Sequence, residues 1–141
     1  MKKIFIASDH AGFRLKKAII EKFSKINKFK DLGCYNSLKS VNYPDYAHKV
    51  CLKVLENKSN IGVLICGSGL GMVMAANKHK KIRAALCYSV KTAKLSRLHN
   101  DANVITLGGR LTNKKIAFNC LNAFLNTKFE GGRHIKRVEK I

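Results

Sequence analysis

The sequence predicts an α/β fold, a single open parallel sheet of five strands with helices on both faces, and three observations carry that reading. Short runs of Val, Ile and Ala alternate with longer segments whose apolar residues recur at helical spacing. The short runs are almost continuously apolar, as strands covered on both faces are. No internal repeat or low-complexity linker interrupts the alternation, and 141 residues suit one compact domain over residues 1–141.

Residues 3–7 form the first strand, and Asp9-His10-Ala11-Gly12 opens a helix. On that helix Phe13, Ala18, Ile20, Phe23 and Ile26 share one face, with Lys16, Lys17, Lys22 and Lys25 toward water. A weak second strand covers 28–32, Gly33 ends it, and 36–42 is a polar loop. Pro44, the only proline, and Asp45 suit the first turn of a helix reaching Asn57, with Tyr46, Val50, Val54 and Leu55 available to the core. Residues 61–66 are the central strand, which breaks into the glycine loop Cys66-Gly67-Ser68-Gly69-Leu70-Gly71 before a helix over 72–78. A fourth strand takes 83–87, Ser89 caps a helix through Leu98, and a fifth strand over 103–107 ends in Gly108-Gly109-Arg110. Thr112-Asn113 caps a helix striped by Ile116, Ala117, Cys120, Leu121, Phe124 and Leu125. After Glu130-Gly131-Gly132 a short basic helix over 133–140 completes a Rossmann-like arrangement.

No apolar run approaches the roughly 20 residues that span a bilayer, and the apolar part of the N-terminus is too short for a signal peptide. The expected location is the cytosol. Five cysteines with no C-x-x-C pair and no His at zinc-like spacing support neither a disulfide framework nor a metal site. Four of them read as small buried apolar residues. The net charge of +20 is mostly Lys scattered over every helix, with the 7 Phe and 4 Tyr at core-like positions, whereas readers of nucleic acid gather Arg and aromatics on one face. That pattern describes a basic solvated surface that attracts small anions.

In an open parallel sheet, ligands bind beyond the carboxyl ends of the strands. Ser8-Asp9-His10, Cys66 to Gly71 and Gly108-Gly109-Arg110 all fall there. The glycine loop matches no Walker, tyrosine-phosphatase or dinucleotide motif, because Met72 stands where each needs a Lys, Arg or Gly. What remains is a nest of backbone N–H groups beside a thiol, suited to holding an oxyanion while Cys66 moves a proton. His99-Asn100-Asp101 precedes the fifth strand and so lies at the opposite end of the sheet. It is either a helix-capping turn or part of a site on a neighbouring subunit.

The segments Ser8-Asp9-His10-Ala11-Gly12-Phe13, Tyr43-Pro44-Asp45-Tyr46-Ala47 and Ile65 to Gly71 resemble, in order and spacing, the ribose-5-phosphate isomerase B family. So do Ala75-Ala76-Asn77-Lys78, Leu95 to Val104 and Glu130-Gly131-Gly132-Arg133-His134, so that the likeness spans nearly the whole chain. The resemblance implies interconversion of ribose 5-phosphate and ribulose 5-phosphate through a cis-enediolate, without metal or cofactor, in the non-oxidative pentose phosphate pathway. It implies Cys66 as the base, Gly67, Gly69 and Gly71 as the oxyanion loop, Ser68 as an assisting hydroxyl and His99 as the acid that opens the furanose. Asp9 and His10 then contact the sugar, and Asn100, Arg110, Arg133 and Arg137 match substrate- and phosphate-binding positions. It also implies a homodimer, or a dimer of dimers, with pockets built from both subunits, and so favours the shared-site reading of His99. Ser68 stands where many members have Thr, which keeps the hydroxyl. The alternatives are a galactose-6-phosphate or allose-6-phosphate isomerase of the same family and, from another class, a basic nucleic-acid-binding module, which the resemblance disfavours.

Overall fold

The computed structural model describes residues 3–141. In chain order these form β1 (Lys3–Ser8), α1 (Phe13–Phe23), β2 (Lys28–Asp31), α2 (Tyr43–Leu55), β3 (Ile61–Cys66) and α3 (Leu70–Ala76). There follow β4 (Ala84–Leu86), α4 (Val90–Asn100), β5 (Val104–Gly108), α5 (Lys114–Asn126) and α6 (His134–Val138). All strand pairs are parallel, in the order β2-β1-β3-β5-β4. After β2 the chain crosses to the other side of β1, so the direction of winding reverses between β1 and β3. The loops leaving those two strands diverge there and leave a crevice at the carboxyl edge.

Strand side chains alternate between two cores. Ile4 and Ile6 of β1, Ile61, Val63 and Ile65 of β3, and Ile105 and Leu107 of β5 pack with α1, α4 and α5. Phe5, Ala7, Leu64, Cys66 and Val104 face the opposite way, against Val50 and Val54 of α2 and Met72 and Ala76 of α3. Each fully buried Ile, Leu or Phe in these layers contributes about 1.5–3 kcal/mol. The helices that cover the sheet begin on local signals. The Ser89 side chain accepts from Thr92 N–H, the Asn113 side chain accepts from Ile116 N–H, and Pro44 sits in the first turn of α2. Among the described residues no helix is long and apolar enough to cross a membrane.

Three local expectations are corrected. The helix expected over 72–78 begins at Leu70, because Gly69 (φ 80°) turns the chain into it, and it stops at Asn77, whose side chain bonds both backbone groups of Ala84. The core stripe of α1 is Leu15, Ile19 and Phe23, while Ile26 lies past its end and is 64% exposed. Lys16, expected in water, is 1% exposed. Its ammonium donates to Asp31 Oδ1 at 2.6 Å and to the Cys34 carbonyl at 2.5 Å, and it lies over the rings of Phe13 and Tyr35. Helical spacing ranks every Lys as polar and is blind to a carboxylate waiting on β2.

His79 sits in the turn after α3, and its Nε2 is 2.7 Å from His48 Nδ1 of α2. Burial and then the neighbouring His48 lower the pKa of His79 below its ordinary 6.5. The unfolded chain therefore binds more protons in that range, and this contribution is complete above pH 6.5 and lost as the pH falls through the lower native value. Urea midpoints measured between pH 7.5 and 5.5 should fall more steeply for the wild type than for His79→Gln. For the buried ammonium, Asp31→Ala should cost about 2–3 kcal/mol in urea unfolding, because it strands the Lys16 charge. Lys16→Met should cost under about 1 kcal/mol, since Asp31 keeps its bond from Gly33 N–H at 2.9 Å.

Candidate active site

The crevice at the β1-β3 switch opens into a cavity of about 450 Å³ lined by Asp9, Tyr43, Cys66, Gly67, Ser68, Gly71, Arg110 and Leu111. Asp9 leaves β1 buried, held by its own N–H on the Ile65 carbonyl at 3.2 Å and by Gly12 N–H on its Oδ1 at 3.0 Å. That turn is so close to β3 that a Cβ on Gly12 would stand 2.4 Å from the Ile65 oxygen.

Cys66 ends β3 with its sulfur toward the α2-α3 side, where Gly69 N–H donates to Sγ at 3.2 Å. The loop after it is clamped from several directions. Gly109 N–H donates to the Cys66 carbonyl at 2.8 Å, Arg110 N–H to the Gly67 carbonyl at 2.9 Å, Tyr88 Oη to the Ser68 carbonyl at 2.9 Å and Thr106 Oγ1 to the Gly69 carbonyl at 3.1 Å. Leu70 N–H donates to Ser68 Oγ at 3.2 Å. The Gly67 and Ser68 N–H groups have no acceptor among the described residues. Two unoccupied donors, a hydroxyl and a thiol thus meet at one wall, with the Arg110 guanidinium alongside, and can hold a polar anionic molecule.

Burial pushes Cys51 and Cys87 up to about 12 and raises Cys120, so those thiols stay protonated and inert.

His10 faces a second cavity of about 360 Å³ beside the first, with Arg14, Ser37, Leu38 and the shared Arg110. Its Nδ1 accepts from Val41 N–H at 3.2 Å, which leaves Nε2 as the protonated nitrogen. Gly69 serves as the left-handed turn behind the loop rather than as cavity lining. Tyr43 and Leu111 line the first cavity and were not singled out in the sequence as site residues. The signal for Tyr43 was the Tyr-Pro start of α2, and it seats against Gly71, where a Cβ would lie 2.5 Å from the ring.

The remaining candidates gather elsewhere. His99 lies in the last turn of α4, and its ring stacks on that of His134 at 4.3 Å with 15° between planes. Glu130 Oε2 is 3.7 Å from His99 Nε2 and 3.4 Å from His134 Nε2. Arg133 caps α6 and Arg137 lies within it, one turn on. Asn100 is exposed, and its carbonyl takes Arg83 Nε at 3.0 Å. None of these lines either cavity. Among the described residues the one group of three donors close enough for a metal ion is His99, Glu130 and His134. The neighbouring Arg133 and Arg137 charges, which help to lower the His134 pKa after burial and His99, oppose a cation there.

The comparisons with known proteins run along nearly the whole chain. A family model described as ribose/galactose isomerase matches residues 4–141. Ribose-5-phosphate isomerase B of Escherichia coli is 42% identical over 142 residues, covering 100% of this chain and 95% of its own length. The crystal structure of a ribose 5-phosphate isomerase from Thermotoga maritima superposes with a TM-score of 0.95 at 47% identity, over 99% of this chain and 96% of that one. Ribose-5-phosphate isomerase B of Mycoplasma genitalium, solved with bound ribulose-5-phosphate, gives a TM-score of 0.93 at 45% identity, over 98% and 92%. With that coverage and a shared sheet, the chain belongs to the ribose/galactose isomerase family.

Proposed function

We propose that the protein interconverts D-ribose 5-phosphate and D-ribulose 5-phosphate, with Cys66 as the base. The observation that carries this reading is a cysteine on the cavity wall beside two unpaired backbone N–H groups. An aldose-ketose shift needs one group to carry a proton between adjacent carbons and a set of donors for the oxygen that turns negative in between. Cys66 Sγ takes the proton from C2, the C–H electron pair forms the C1=C2 bond, and the carbonyl pair moves onto O1. The unpaired N–H groups of Gly67 and Ser68 hold that oxygen, with Gly69 and Gly71 shaping the loop that presents them. The sulfur returns its proton to C1, and the O2 proton passes to O1, with Ser68 Oγ within the loop to relay it, so that C2 becomes the carbonyl and nothing is gained or lost.

Asp9 and His10 contact the sugar hydroxyls, and Arg110 faces its anionic end. His99, Asn100, Arg133 and Arg137 come from a second copy, as the ring-opening acid and the phosphate grip. In ring opening His99 gives a proton to the ring oxygen as the C1–O4 bond breaks, and recovers one from the C1 hydroxyl as the carbonyl forms. Two guanidiniums one helical turn apart suit a phosphate. The exposed Leu70 and Met74 of α3, together with Leu111 of the first cavity, favour a homodimer that covers them. The ribulose-5-phosphate bound by the Mycoplasma genitalium relative supports a pentose over a hexose substrate.

In a coupled assay of the purified protein, Cys66→Ala should lower turnover of ribose 5-phosphate by about 10³-fold with an unchanged thermal midpoint. Turnover above a tenth of wild type would sink the assignment, and faster turnover of galactose or allose 6-phosphate would replace the pentose. His99→Asn should lose about 10²-fold on ribose 5-phosphate and little on 4-deoxyribose 5-phosphate, an aldose that cannot close a ring. Equal losses on the two compounds would remove the ring-opening role.

A further inference from the structure

Glu130 lies in the segment between α5 and α6, and its N–H donates to the Leu98 carbonyl at 3.1 Å, which ties that segment to the last turn of α4. Its carboxylate, 55% exposed, stands beside both stacked imidazoles. The two rings are not equivalent. His134 is 5% exposed, and its Nε2 makes no hydrogen bond to any described residue, whereas the His99 side chain is 37% exposed. Two imidazolium rings stacked at 4.3 Å repel each other, so the pair holds one charge most readily. Burial, then His99 and Arg133, lower the pKa of His134, which makes it the neutral partner.

We propose that Glu130 is a positioning residue for His99: set against the edge of the stack, its charge orients the exposed ring, while the burial of His134 leaves His99 as the proton carrier. The groups facing this pair are Glu130 as the carboxylate, and Arg133 and Arg137 as fixed cations on the α6 side. At 3.7 Å from His99 Nε2 and 3.4 Å from His134 Nε2 the carboxylate acts through its charge rather than through a hydrogen bond, and it attracts the N–H edge of the ring that is free to turn toward it. His134 supplies a flat, uncharged surface that limits rotation of the His99 ring. This inference rests on His99 being the ring-opening acid.

The test uses the full chain with ribose 5-phosphate and 4-deoxyribose 5-phosphate. Glu130→Gln should lower kcat on ribose 5-phosphate about tenfold with KM unchanged, and leave the acyclic compound at the wild-type rate. Glu130→Asp should recover part of the loss, and nitrogen NMR of the His99 ring should show altered protonation in Glu130→Gln alone. A wild-type kcat in Glu130→Gln, beside a selective loss in His99→Asn, overturns the positioning role while the acid assignment stands. Equal losses on both compounds in Glu130→Gln also overturn it, because a packing defect acts that way. Equal losses in His99→Asn overturn both.

Discussion

The site depends on the ladder between β3 and β5 continuing past the end of the sheet. Cys66 pairs with Gly108 in the last rung, and the next two bonds run from the Gly109 and Arg110 N–H groups to the Cys66 and Gly67 carbonyls. Those bonds occupy the carbonyls of the loop and leave the Gly67 and Ser68 donors uncommitted, so the polarity of the cavity wall is set by the backbone. The contact has no slack, since a Cβ on Gly108 would stand 2.7 Å from the Ser68 oxygen. A rigid wall of this kind spares reorganisation when charge develops against it.

Much of this was legible because its causes are local. The strands announce themselves by continuous apolar runs, the glycine loop by its spacing, and the starts of α4 and α5 by Ser89 and Asn113. Asp9, Cys66, Ser68 and Arg110 followed from one rule about strand ends, and the cavity gathers them. What stayed illegible is set by partners distant in sequence. The placement of β5 inside β4 depends on strand pairing, the burial of Lys16 on Asp31, and the seat of Tyr43 on Gly71. Glu130 and His134 are four residues apart, but β5 and α5 separate them from His99, and no periodicity predicts that the three side chains meet.

The charge of +20 acquires a finer meaning from where counter-charges sit. Asp31 neutralises Lys16, and Asp101 pairs with both Arg83 and Arg97 at the end of α4. With only 8 acidic residues in the chain, these pairings are placed at structural joints. Arg110 has no such partner among the described residues and turns its charge into the cavities. A lone guanidinium at the mouth of a concave site attracts an anion more strongly than a Lys on an open helix face.

Topology also bears on the partition of the candidate residues into two groups. α4 starts at the carboxyl edge, just after β4, and its 11 residues carry the chain toward the amino edge by about 16 Å. His99 is therefore separated from Cys66 by the length of a helix, a gap that rotamer changes of a few ångströms do not close. The segment before α6 is tied to the same end by the Glu130 N–H bond to the Leu98 carbonyl, so His99 and the α6 arginines belong to one end of the fold. Under the proposed chemistry these groups must meet Cys66 within hydrogen-bonding reach of one small sugar. The sheet prevents this within one copy, and a two-fold arrangement allows it twice, because the end that carries His99 in one copy can face the cavity of the other. Under the proposed chemistry a shared site would follow from helix length and strand direction, and association would be a requirement of catalysis rather than an addition to it.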